Sequence, residues 1–182
     1  DTVIFNKPDF PDDRNGFAIE SYLGRVNFTL SDKYLLTASL RRDASSKFSR
    51  DNRVGYFPAV AFAWKLKDEF FPDAGNNINE LKLRIGWGVT GQQDGIAYYS
   101  YMPRYTYGSG SAQYQFGDQF IRFLRPTAYY PDVKWETTQT TNIGLDYGFL
   151  QNRISGSIDI YSKKTKDLLS VVPVPPGSNF NV

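Results

Sequence analysis

Apolar and polar residues alternate with a period of two along most of this chain. In residues 17–30, Tyr22, Gly24, Val26, Phe28 and Leu30 interleave with Ser21, Arg25, Asn27 and Thr29. In residues 33–42, Tyr34, Leu36, Ala38 and Leu40 interleave with Thr37, Ser39 and Arg41. A strand sends successive side chains to opposite sides, so this period predicts a sheet with one apolar and one polar face. The pattern predicts a third strand over residues 56–66, with Pro58, Val60, Phe62, Trp64 and Leu66 opposite Ala59, Ala61, Ala63 and Lys65. A fourth covers residues 81–90, where Leu81, Leu83, Ile85, Trp87 and Val89 oppose Lys82, Arg84, Gly86 and Gly88. Residues 135–149 and 154–162 form the last clear hairpin. Strands of about ten residues match the length that crosses a bilayer at a tilt. Their recurrence predicts an all-β chain, an antiparallel meander forming part of a transmembrane β-barrel.

The hairpin registers follow from the same pattern. With Ser31-Asp32-Lys33 as a turn, Leu30 faces Tyr34, Phe28 faces Leu36, Val26 faces Ala38 and Asn27 faces Thr37. A slip of one residue would put every apolar side chain opposite a polar one. A turn at Gln151-Asn152 places Phe149 opposite Ile154, Leu145 opposite Ile158 and Ile143 opposite Ile160. It also sets Asp146 against Ser157 and Gly144 against Asp159. Asn suits the positive backbone dihedrals of such turns.

Connections alternate in length. The short turns and the medium segment 67–80, in which a helical turn fits, lie at one end. The charged loop 43–55, the Tyr- and Gly-rich segment 91–134 and the chain after Tyr161 lie at the other. Within 91–134, short strands are expected near residues 101–107 and 120–126. Short turns on one side and long loops on the other fit a bacterial outer-membrane barrel, with periplasmic turns and extracellular loops. Tyr22, Tyr34, Tyr56, Trp64 and Trp87 stand where an interfacial aromatic girdle is needed. The resulting organisation is a loop over 1–16, a barrel wall over 17–172 containing the loop region 91–134, and the start of a further extracellular loop over 173–182.

Composition narrows the chemistry. Mean hydropathy is −0.46, which a barrel tolerates because half of each strand faces a polar interior. No apolar run is long enough for a membrane helix, and no signal-peptide pattern opens at Asp1. A net charge of +2 gives no nucleic-acid footprint. The chain has neither Cys nor His, so disulfides, thiolate sites and imidazole bases are excluded. No paired Asp/Glu or Ser/Lys constellation replaces them, so neither an enzyme nor a cofactor is expected.

Several motifs in one order carry a resemblance. Residues 34–42 (YLLTASLRR), 43–48 (DASSKF), 55–58 (GYFP), 81–94 (LKLRIGWGVTGQQD), 131–136 (PDVKWE), 142–146 (NIGLD), 163–169 (KKTKDLL) and 172–180 (VPVPPGSNF) resemble the SusC/RagA-like TonB-dependent outer-membrane transporters. The agreement runs over roughly residues 17–180. The resemblance implies a plugged barrel of about 22 strands that imports glycans or peptides. It implies a SusD-like surface lipoprotein as partner, energy from the TonB complex and contact with outer-membrane lipid. This sequence contains neither the plug nor the TonB-contacting segment and is expected to be the middle-to-late part of such a barrel.

Candidate residues follow from position. Tyr98, Tyr99, Tyr101, Tyr105 and Tyr107, with Tyr114 and Phe116, sit in the long external loop. Such rings stack on sugars, pack on a partner, or build the membrane-facing girdle or the loop's own core. Arg25, Arg41, Lys82 and Arg84 fall on polar faces and are expected to line the lumen, paired with carboxylates such as Glu20 or Asp43 or in contact with the plug that the resemblance implies. On the lipid face at mid-depth each would cost roughly 2–4 kcal/mol. Gly86, Gly88, Gly91 and Gly95 lack the strand–turn–helix context of a nucleotide loop and read as a strand rim where backbones pack closely or turn. Asp43, Asp51, Asp94 and Glu136 lack dense calcium-loop spacing. Lys163, Lys164 and Lys166 read as a solvated rim. The competing architecture is an extracellular β-sandwich glycan-binding module, in which apolar faces would pack on one another.

Overall fold

The computed structural model describes residues 16–72, 77–107 and 113–170. The six long strands are β1 (Ile19–Leu30), β2 (Tyr34–Ser45), β3 (Val54–Lys65), β4 (Ile78–Gln92), β9 (Glu136–Phe149) and β10 (Ile154–Lys166). They form one antiparallel sheet in the order β1-β2-β3-β4-β9-β10. Both predicted hairpins have the expected register, from Leu30↔Tyr34 through Val26↔Ala38 and from Phe149↔Ile154 through Ile143↔Ile160. The Lys33 amide closes the first turn on the Leu30 carbonyl at 3.1 Å. Gln151 and Asn152 take φ of 58° and 61° as expected, and Leu150 joins them at 53°.

The strands run longer than alternation alone indicated. β2 continues through Asp43 to Ser45, and β10 carries Lys163–Lys166 into the ladder. Leu66 leaves the third strand and opens α1 (Leu66–Phe70). The cause is local: Leu-Lys-Asp-Glu-Phe is built mostly of good helix formers, with Asp68 and Glu69 in the first turn where the helix dipole favours negative charge. Glu69 is tied back by the Tyr34 hydroxyl at 3.1 Å and by Lys33 at 3.3 Å. Among its described residues the long loop holds four short strands rather than two. β5 (Tyr105–Tyr107) pairs with β8 (Leu124–Pro126), and β6 (Tyr114–Phe116) pairs with β7 (Gln119–Ile121). Residues 1–15 and 171–182, which include most of the predicted terminal loops, lie outside the described residues.

Cross-strand pairing assembles continuous rows on the apolar face. Phe28, Leu36, Phe62, Ile85, Ile143 and Ile160 form one such row across all six strands. This face is open: Val26 is 69% exposed, Phe28 56% and Ile160 73%. A sandwich would cover it with a second sheet, and among the described residues none does. So large an apolar surface needs a lipid solvent rather than water.

The band also runs obliquely to the rows. On the row Val26-Ala38-Val60-Trp87-Thr141-Ser162, its loop-end edge lies four residues beyond Val26, at Tyr22. On β10 the edge lies two residues short of Ser162, at Ile160. That displacement is about 20 Å along the strands over about 24 Å across them, from ~3.3 Å per residue and ~4.8 Å per strand spacing. The strands therefore tilt by roughly 40° from the normal to the band, the inclination of an outer-membrane-type barrel.

Candidate functional site

The polar face is organised in levels along the strands. Near the turn end, the bonding pattern of β4, β9 and β10 places Lys82 beside Asp146, and Arg84 beside Gly144 and then Asp159. Arg84 grips Asp146 with two bonds, Nε–Oδ2 at 2.9 Å and Nη2–Oδ1 at 2.7 Å. Its Nη2 also reaches the Asp159 oxygens at 3.2 and 3.3 Å. Lys82 Nζ lies 3.0 Å from Asp146 and 3.2 Å from Glu80. A planar fork with several donors suits this shared, partly desolvated arrangement.

Gly144 makes the crossing possible. A Cβ there would collide with the Asp159 carboxylate and stand 2.8 Å from Arg84 Nη2. Gly144→Val is expected to displace the ends of the Arg84 and Asp159 side chains, break their contact and lower unfolding stability by up to about 1 kcal/mol, the worth of a part-exposed ion pair. The measurement is urea unfolding of the full-length protein in detergent. Ser155→Val, on an exposed part of β10, should stay within about 0.5 kcal/mol of the parent. Equal effects from both changes would remove the special role of Gly144.

At mid-height the face is floored by Ala59, Ala61, Gly86 and Gly88, and edged by Thr140 and Asn142, around a shallow depression of about 280 Å³. Small side chains leave the sheet backbone approachable there.

The loop end carries its own buried core. Phe48, Phe57, Ile96, Val133 and Trp135 cluster, with Tyr101, Val89 and Leu169 against them. Trp135 lies 4.9 Å from Phe48 and meets Phe57 edge-on at 5.5 Å. Its indole N–H donates to the Arg53 carbonyl at 3.0 Å. The Phe57 ring fills space over Gly55 and Gly91, where a Cβ would collide with it.

The structure separates the predicted tyrosines. Tyr101 packs on this core. Tyr98 sits 6.0 Å from Phe17, with the Lys47 ammonium over both rings. Tyr99 takes a φ of 60° beside Arg104. Tyr105 and Tyr107 expose their rings from β5. Tyr114 and Phe116, also singled out by the sequence, form a second aromatic group with two residues that it did not mark: Tyr114 meets Phe123 edge-on at 5.2 Å, with Phe116 and Arg125 around them. Of the four polar-face cations, Lys82 and Arg84 join the network above, and Arg41 bonds Asp43 at 2.8 Å. Glu20 pairs with Arg42 at 3.3 Å rather than with Arg25. The reason is parity: Glu20 shares the face of Tyr22 and Arg42, and Arg25 points to the opposite one. Gly95 has a φ of +85°, and among the described residues no acidic cluster has metal-site geometry.

Comparison with known proteins gives a consistent picture. The family model "TonB dependent receptor-like, beta-barrel" matches residues 2–182. The chain is 50% identical over 161 residues to the TonB-dependent receptor SusC of Bacteroides thetaiotaomicron, covering 88% of this chain and 16% of that protein. It is 36% identical to the TonB-dependent receptor P26 of Formosa agariphila, covering 93% of this chain and 17% of that one. A solved structure of the RagAB peptide importer in the open-open state superposes with a TM-score of 0.75 at 30% identity, over 91% of this chain and 17% of that one. The chain thus spans about a sixth of the length of the relatives it matches.

Proposed function

Because the chain belongs to the TonB-dependent receptor-like β-barrel family, we propose that it forms one wall of an outer-membrane active transporter importing a nutrient oligomer, glycan or peptide. The observation that carries this reading is the division of one tilted sheet into an open apolar face and a charged polar face. The apolar band meets lipid, and the polar face lines the lumen with Arg25, Arg41, Lys82 and Arg84. Lys82 and Arg84 are committed to carboxylates, so they shape the wall and its field rather than clamp substrate. Tyr105 and Tyr107, with rings presented outward, are the substrate- or partner-contacting pair of the external loop. Tyr101 serves the loop core instead. Residues 17–172 act as barrel wall, with the long loop region 91–134 external. A SusD-like lipoprotein over the loop end and the TonB complex, engaged through a region outside this chain, complete the assembly. The similarity to SusC and RagAB supports both partnerships.

The test is uptake by whole cells expressing or lacking the full-length protein. Labelled oligosaccharide and peptide pools are supplied, with and without a protonophore. Loss of uptake of one pool on deletion, and its abolition by the protonophore, is expected. Unchanged uptake of both pools, with the protein present in the outer membrane, would reject the transport reading.

A further inference from the structure

Lys163, Lys164 and Lys166 are close in sequence but do not share a face. The β10–β9 ladder is regular from Ile154↔Phe149 to Lys166↔Thr137, without a bulge. Strict alternation therefore places Lys164 and Lys166 on the face of Ile158 and Ile160, and Lys163 on the face of Asp159 and Tyr161. Going toward the loop end, the apolar face of β10 reads Ile158, Ile160, Ser162, Lys164, Lys166. Hydrocarbon-facing residues thus stop at Ile160, and the two lysines stand about 13 and 20 Å further along the strand at ~3.3 Å per residue. With the tilt derived above, their backbone stands about 10–15 Å over the band edge, above a headgroup layer of about 5–8 Å, so each long side chain has to reach back toward the band to bring its ammonium to that layer.

The neighbouring positions on that face are suited to an anion. Gln139 pairs with Lys164 and Thr137 with Lys166, both uncharged hydrogen-bonding side chains. Among the described residues neither lysine has a carboxylate partner. The nearby acids are engaged elsewhere: Glu136 accepts from the Leu169 amide at 3.1 Å and Asp167 pairs with Lys134 at 3.0 Å. By contrast Lys163, on the other face, lies over the Tyr161 ring.

We propose that Lys164 and Lys166, with Gln139 and Thr137, form a binding site for the phosphate of an anionic membrane lipid whose chains lie along the Ile143–Ile160 surface. The apolar band and the cationic rim are one continuous surface, so a single amphiphile satisfies both. The site depends on lipid facing this side of the wall, not on what the barrel carries. Each lysine near a charged membrane surface contributes about 1 kcal/mol, or roughly five-fold in affinity.

The experiment uses the full-length protein in neutral detergent and measures retention of a diphosphoryl glycolipid by native mass spectrometry. Dephosphorylated glycolipid, an anionic phospholipid and inorganic phosphate are supplied in parallel arms. The diphosphoryl glycolipid is expected to bind, with a ~30-fold loss in the K164Q/K166Q double variant and no loss in K163Q. Binding of the anionic phospholipid alone would retain the site and change the lipid that fills it. Equal binding of dephosphorylated glycolipid, capture of inorganic phosphate without lipid, or equal losses in K163Q and K164Q/K166Q would overturn the proposal. Uptake assays on the same variants separate this site from transport, which the proposal leaves intact.

Discussion

Trp135→Ala is expected to destabilise the loop end by about 3–5 kcal/mol, the usual range for removing a buried large aromatic residue. The indole bridges segments far apart in sequence. It packs between Phe48 from the β2–β3 connection and Phe57 from β3, and it satisfies the Arg53 carbonyl. Truncation leaves a cavity and an unpaired carbonyl together. The six-strand ladder is held by main-chain bonds outside this cluster, so the barrel should persist while its external loops open. Limited trypsin digestion of intact cells is the readout. Cleavage at Lys47, Arg50 and Arg53 should accelerate, with the membrane-embedded remainder protected. Tyr105→Ala, removing an exposed ring, should leave the digestion rate unchanged. A Trp135→Ala protein that resists trypsin as the parent does would refute the loop core as an anchoring element.

Ile85→Arg should lower barrel stability by about 2–4 kcal/mol, the cost of a cation on the lipid face at mid-depth. Ile85 occupies the middle of the row that joins Phe28 to Ile160. An arginine there finds hydrocarbon on the open side and apolar neighbours within the sheet. The matched control is Ser157→Arg. Ser157 lies opposite Asp146 on the polar face, where a guanidinium meets carboxylates. The folded fraction of full-length protein, read from heat-modifiable electrophoretic mobility across a urea series, should fall only for Ile85→Arg. Equal loss from both would mean that the two faces are not distinguished by solvent, and a reversed order would exchange lipid and lumen.

The same division explains how the charged network survives in a membrane-spanning sheet. Arg84, Lys82, Asp146 and Asp159 all take the parity opposite to Ile85 and Ile143. Their charges are neutralised within one patch, so a polar wall needs no water-filled cleft beside each ion. Gly144 keeps the patch flat enough for a side chain to cross β9.

The sequence by itself determined what depends on neighbours in the chain. Alternation gave the six long strands, their two faces and the band of lipid-facing residues. The turns at Ser31–Lys33 and Gln151–Asn152 fixed two registers, because a tight turn leaves one pairing that keeps apolar residues opposite apolar ones. The ordered motifs indicated the family. Only the tertiary structure decided what depends on closing long loops. β4 pairs with β9 across residues 93–135, and no local rule brings Arg84 to Gly144 and Asp159. Had that pairing been known, the two carboxylates facing Lys82 and Arg84 would have followed from register. The loop end had no such route. Phe48, Ile96 and Val133 lie in segments without a period, Trp135 stands at the very start of a predicted strand, and Phe57 sits on the face that alternation marks as polar. Their burial arises from loops folding against one another, where contacts between distant residues, rather than backbone repeat, select the arrangement.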